Sequence, residues 1–207
     1  MQAWWIWLAA LVLYGVFSLW YNNWRGPLTP EEVESFVARA RSQSQVEPER
    51  LATLRIFLEQ DDGREFFMLN LIAAHREPVA MPGTGELKPA REVLAGYTNH
   101  FMPALLRRAG HPAFVGPAAG GYVEQWGVEK NPGWTFSGII RYRSRRDMIE
   151  LATDPEFEPA HVYKIAAMAH TLAFPVAPGV MFVGPRVWVG LVIALLGALG
   201  HVAVVSR

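Results

Sequence analysis

The sequence predicts an α+β chain whose middle runs β-α-β-β-α-β and whose two ends are apolar helices. Three observations carry this reading. All 19 acidic and 18 of the 19 basic side chains lie between Asn22 and Arg186, while Trp4–Tyr21 and Val187–Val205 have none. Phe66–Ala74 is a nearly unbroken apolar run, the pattern of a strand enclosed on both faces. Trp134–Arg143 alternates instead, the pattern of a strand with one polar face.

The first segment, residues 1–25, is read as a transmembrane helix. Eighteen uncharged residues at the helical rise span roughly 27 Å, close to a hydrocarbon core. Trp4, Trp5 and Trp7 mark one interface, Trp20, Tyr21 and Trp24 the other, and Arg25 stops the segment. A cleaved signal peptide would need a basic start and a small-residue cleavage site. Met-Gln-Ala and Trp20–Arg25 offer neither, so the span is expected to be retained.

Residues 26–62 predict a helical stalk or lid. Thr29-Pro30-Glu31-Glu32 is a helix start, with Thr as cap, Pro in the first turn and carboxylates beside the helix N-terminus. Val33, Phe36, Val37 and Ala40 form its apolar stripe. Pro48 opens a second helix that ends at Asp61-Asp62-Gly63.

Residues 63–178 form the expected α+β domain. After the apolar strand comes a Pro/Gly-rich loop, Glu77–Pro89, then helical spacing over 90–109, with Gly110 in the position just past the helix end. His111–Gly116 and Gly121–Val128 read as short strands, followed by the alternating strand 134–143. Arg145–Ala169 reads as a helix pair kinked at Asp154-Pro155, and Thr171–Val176 as the last strand. With the extra hairpin strand set aside, the order is that of a ferredoxin-like α+β sandwich.

Residues 179–207 are a linker and a second transmembrane helix, Val187–Val205, with Trp188 at one interface. Gly190, Ala194, Gly197 and His201 recur at intervals of four, three and four, so they share a face on which helix backbones can approach closely. His201 lies near the segment's end, where a hydrogen bond to a neighbour or headgroup outweighs a proton or metal role. Two spans place both termini on one side. Arg25 and Arg186 flank the domain and Arg207 alone follows the second span, which favours a cytoplasmic domain at a bacterial inner membrane over a periplasmic one.

Composition excludes several functions. With no Cys there is no disulfide scaffold, thiolate nucleophile or Cys-held metal. Zero net charge and three Lys lack the basic footprint of nucleic-acid binding. Glu158-x-x-His161 stands alone and no His-Glu-x-x-His occurs, so neither a metal nor another cofactor is expected. Gly116–Gly121 lacks Gly-Lys-Ser/Thr and is a turn rather than a phosphate loop.

Phe-Phe-Met-Leu-Asn-Leu-Ile (66–72), Ile-Ile-Arg-Tyr-Arg-Ser-Arg-Arg-Asp-Met (139–148), Thr-Asp-Pro-Glu-Phe (153–157) and a helix carrying His161 and Lys164 resemble the dimeric α+β barrel superfamily, in particular its small bacterial domains of unknown function. The resemblance covers roughly residues 64–177. It implies two sheets paired into a barrel, hence a homodimer. It also implies a pocket between sheet and helices, as in cofactor-free monooxygenases, haem-degrading enzymes and isomerases. The two spans and the 29–60 helices depart from that pattern.

Two sets of residues stand out in the middle domain. Asn70 is a lone amide in an apolar strand and must find a partner in backbone, water or ligand. His161 lies on a stripe with Phe157, Ile165 and Met168 and points inward, either as a hydrogen-bonded core His or as pocket lining. Asn70, Tyr97, His100 and His161 are the ligand-pocket candidates. Arg141 and Arg143 share a strand face able to hold an anion, or to form an interface once Asp147, Glu150, Asp154 and Glu156 neutralise them.

No catalytic constellation is complete, so the function expected is an accessory or interaction subunit of a membrane complex, reaching protein partners through the transmembrane helices. The alternative is a cofactor-free enzyme or binder, monooxygenase- or isomerase-like, acting on a hydrophobic molecule from the bilayer; a lipid or quinone sensor falls between. A cavity of a few hundred Å³ around Asn70 and His161 would support the alternative, and one plugged by Phe and Met would end it.

Overall fold

The computed structural model describes residues 3–42, 47–179 and 184–206. The chain divides into two compact units, one made of Met1–Trp24 with Pro178–Arg207 and the other of Arg25–Ala177.

The terminal unit is a pair of helices, α1 (Trp4–Tyr21) and α7 (Pro185–Val205), each long and apolar enough to cross a membrane. Most of their side chains face outward, unlike those of a helix in a soluble core. Small residues of α7 lie against α1. A Cβ on Gly190 would come within 3.3 Å of the Tyr14 ring, and one on Gly197 within 3.4 Å of the Trp7 ring and 3.7 Å of the Ala10 Cβ. His201 Nδ1 accepts a hydrogen bond from Trp7 Nε1 at 3.3 Å. The expected packing face is therefore filled by the chain's own first helix at three of its four positions. Ala194 is exposed, because it sits roughly 60° around the helix from Gly197. At the other end of the pair, Tyr14 donates to the Arg186 carbonyl at 3.2 Å and Arg186 Nε donates to Asn22 Oδ1 at 2.7 Å.

The middle unit begins with α2 (Pro30–Ser42) and α3 (Pro48–Glu59). Thr29 and Glu32 form a reciprocal cap: Glu32 N donates to Thr29 Oγ1 at 3.2 Å and Thr29 N to Glu32 Oε2 at 2.9 Å. Val33, Phe36 and Val37 of α2 and Leu58 of α3 share a buried cluster with Ile149 of α5 (Arg145–Ala152). Buried Arg146 completes the attachment, donating to the Gly26 and Pro27 carbonyls at 3.0 Å and to Glu32 Oε2 at 2.7 Å. Its guanidinium holds the Glu32 carboxyl below the usual carboxylate range. The two helices are thus built into the middle unit and share its core.

Four strands form an antiparallel sheet in the order β4 (His111–Pro117), β5 (Phe136–Tyr142), β1 (Phe66–Ala74), β6 (Met168–Val176). The central strand β1 pairs Asn70 with Gly138 on one side and with Ala173 on the other. A two-residue ribbon, β2 (Val79–Ala80) with β3 (Leu87–Lys88), lies within the Pro/Gly-rich loop. Helices α4 (Ala90–Arg107), α5 and α6 (His161–Ala167) cover one face of the sheet, through Phe101, Leu105, Leu151 and Phe157 packed with Ile140 and Tyr142. On the opposite face Leu69, Leu71 and Ile139 are half-buried, and Phe114, Leu172 and Phe174 are exposed. β1 is therefore buried at its ends and half-open in its middle, because one flank meets a cavity and the other no second layer.

Several sequence expectations change. Gly121–Val128 forms no strand: it runs as bends and coil within the connection between β4 and β5, which pair with each other instead. Helix α4 ends at Arg107, and the left-handed residue is Ala109 (φ 56°) rather than Gly110. Gly110 is instead required by space, since a Cβ there would lie 2.3 Å from Leu105 Cδ1 and 3.0 Å from the Arg141 carbonyl. The pair predicted over 145–169 is α5, a short 3-10 turn at Glu158–Ala160, and α6, with β6 starting at Met168. Pro159 and that turn reset the helical phase, so Ile165 is exposed instead of continuing the stripe from Phe157.

Candidate ligand cavity

Between the sheet and α4, α5 and α6 lies a cavity of about 360 Å³. Its floor is the helix-facing side of the sheet, Met68, Asn70 and Ile72 of β1 with Ile140 and Tyr142 of β5. The period of two puts these side chains on one face. Phe101 and Leu94 of α4 and Leu151 of α5 form its roof, so the lining is mostly apolar. The helices stay close because Gly96 of α4 accommodates the Tyr163 ring of α6; a Cβ there would lie 2.6 Å from it.

Polar groups enter at a few points. The amide hydrogens of Asn70 go to the Met68 and Gly138 carbonyls, at 2.9 and 3.3 Å. Both partners are acceptors, which fixes the nitrogen on that side and leaves Oδ1 as an acceptor that no donor among the described residues reaches. Tyr97 stacks on Phe101 at 5.4 Å and on His161 at 6.0 Å, and Phe157 meets the His161 ring edge-on at 4.9 Å. The hydroxyls of Tyr97 and Tyr142 have no hydrogen-bond partner among the described residues, and burial pushes both phenols well above their ordinary pKa. The Lys164 Nζ lies 5.5 Å from the centroid of the Tyr97 ring. Burial, aided by the field of Arg50, lowers the pKa of that ammonium.

Three of the four pocket candidates, Asn70, Tyr97 and His161, converge on this cavity. His100 does not; it is exposed on α4, with Nδ1 2.8 Å from the Gly96 carbonyl. Lys164 and Tyr142 join the site without having been singled out. Lys164 follows His161 by three residues on one helix, the spacing that places both on one side. Tyr142 is in phase with Ile140 on the floor.

Arg141 and Arg143 lie outside the cavity. Arg141 is buried at 1% exposure, with Nη2 2.6 Å from Glu65 Oε2 and Nη1 donating to the Ala109 carbonyl at 2.6 Å. Arg143 is paired with Asp147 through Nε at 3.0 Å and Nη2 at 2.5 Å. Their carboxylates already occupy the positions an anion would take, so both arginines act as structural ties. Among the described residues no three His, Asp or Glu side chains group as metal ligands.

No family model and no curated protein matches the chain. Two crystal structures of the RPA0582 protein of Rhodopseudomonas palustris, a protein of unknown function, are similar to it. One has 21% identity and a TM-score of 0.52, covering 66% of this chain and 97% of that one. The other, of the methylated protein, has 21% identity and a TM-score of 0.54, covering 67% and 96%. At that identity the likeness is one of fold: the chain is a mixed α+β protein built on a four-stranded antiparallel sheet, with two apolar helices long enough to span a membrane.

Proposed function

We propose that the middle unit is a membrane-tethered binding domain for a small, largely apolar molecule, held in the cavity between the sheet and helices α4, α5 and α6. The observation that carries this is the open volume itself. About 360 Å³ lies within the range of ligand pockets, roughly 300–1,000 Å³, at a place where Phe and Met side chains had room to close it. Asn70 Oδ1, the Tyr97 and Tyr142 hydroxyls and His161 supply the few orienting polar groups such a site uses. A cofactor-free monooxygenase- or isomerase-like reaction fits this inventory; simple binding fits it equally.

The strand order β4-β5-β1-β6, with β1 between two antiparallel neighbours, supports a ferredoxin-like fold of the dimeric α+β barrel type. The open apolar face around Leu71, Phe114, Leu172 and Phe174 supports a second role, docking of a second copy or of another subunit. α1 and α7 would anchor the domain in a bacterial inner membrane, with Arg25 and Arg186 holding it on the cytoplasmic side.

Native mass spectrometry of the chain released from mild detergent tests both readings. A bound small molecule is expected, and it should be lost in Thr98→Trp, which fills the cavity from α4, while the variant keeps the wild-type circular dichroism spectrum and melting temperature. A chain that leaves detergent empty and takes up no added apolar molecule would overturn the binding reading. A dimer broken by Phe174→Glu supports the docking face, and a monomer at all concentrations removes it.

A further inference from the structure

Among the described lining residues of the cavity, the charge has one sign. Among the residues that line it are a Lys and a His but neither an Asp nor a Glu. No carboxylate among the described residues pairs with Lys164, whose ammonium instead approaches the face of the Tyr97 ring. An ammonium facing apolar walls loses most of its hydration, and a cation–π contact restores only part of it. Two phenol hydroxyls in the same cavity have hydrogens to donate and no protein acceptor among the described residues. Arg50 of α3 adds positive field at Lys164. One cation and two hydroxyl donors, surrounded by methionine, leucine and phenylalanine, form the complement of a single negative charge on an apolar body. A doubly charged phosphate would call for a second close cation or an arginine fork.

Resting on the binding reading above, we propose that the cavity takes an organic monoacid, a carboxylate whose head sits at Lys164 with the Tyr97 and Tyr142 hydroxyls and whose aliphatic or aromatic body fills the space above Met68 and Ile72. The acid supplies a counter-charge that no carboxylate among the described residues gives Lys164. Asn70, on the strand floor between Met68 and Ile72, lies along the body, while His161, stacked on the same Tyr97 ring that Lys164 approaches, flanks the head.

The test compares 4-butylbenzoate with 4-butylbenzyl alcohol, which have the same body and differ in the charged head. Both are titrated by calorimetry against the full chain in detergent, with detergent-only blanks. The expected result is a benzoate affinity at least about tenfold above that of the alcohol, with the difference erased in Lys164→Met while alcohol binding persists. Titration of the wild-type chain from pH 7 toward 10 gives a measure independent of any variant. Among the described residues, the titratable groups near Lys164 are Tyr97, whose ring it meets, Tyr142 and His161 in the same lining, and Arg50. Deprotonation of the ammonium should weaken the benzoate and leave the alcohol unchanged. Equal affinities for the two ligands, or a preference that survives both Lys164→Met and the pH series, overturn the monoacid inference and leave the binding domain standing. If neither ligand binds and Thr98→Trp behaves as wild type, the binding reading falls with it.

Discussion

Lys164 sets a pH signature for the middle unit. Its burial lowers the folded-state pKa below the usual 10.5, so the folded chain releases that proton at a lower pH than the unfolded chain does. Between the two values the unfolded state binds more protons, and stability rises with pH. Tyr97 and Tyr142 act in the opposite sense, because their raised pKa values make the folded state hold protons that the unfolded state loses above about pH 10. Denaturant titrations in detergent at pH 7 and 9.5 should show wild type gaining stability relative to Lys164→Met as pH rises. Lys164→Met should be the more stable of the two at pH 7; parallel behaviour would place the lysine in water. The sequence showed this site only in part. Asn70 was legible because a lone amide in an apolar run demands a partner. Lys164 was not, since a lysine on a helix is ordinarily solvated, and only the three-dimensional fold half-buries it beside the cavity. Arg141, an anion or interface candidate from its place on the polar face of β5, is buried against Glu65 and the Ala109 carbonyl, an enclosure that alternation along the strand does not reveal.

At the level of elements, caps and periodicity located the helices well. The Thr29 cap and the stripe of α2 appear in the structure as read, and Glu32 adds the reciprocal bond to the Thr29 amide. Strands were harder, because alternation describes a side-chain pattern and says nothing of whether a partner edge is open. Gly121–Val128 alternates acceptably and still lies outside the sheet. Of the small-residue face expected on α7, Gly190, Gly197 and His201 lie against α1 of the same chain, while Ala194 faces outward. That contact offers a clean measurement in a protein without cysteine. Positions 10 and 197 bring their β-carbons to 3.7 Å, close to the roughly 3.8 Å of a disulfide. Ala10→Cys with Gly197→Cys should therefore oxidise within one chain, giving a faster-migrating band on a non-reducing gel. Cross-linking only between chains would mean that α7 pairs with another molecule.

For the whole chain, charge placement was the most informative sequence feature, since it separated two uncharged helices from a water-facing middle before any fold was considered. The same charges lead us to propose a sidedness that can be measured. With the domain cytoplasmic, alkaline phosphatase fused after Arg207 should be active and green fluorescent protein fused there dark; the reverse pattern would put the domain outside the inner membrane. The pairing of α1 with α7 has one more consequence. It joins the first and last elements of the chain, so when the middle unit unfolds between them it does so as a closed loop of about 160 residues with both ends held. A covalent bridge closing a loop of that size removes roughly 5 kcal/mol of denatured-state entropy at 25 °C. While the helix pair persists it imposes the same restraint, and so acts as a noncovalent staple in a protein that has no thiol with which to make one.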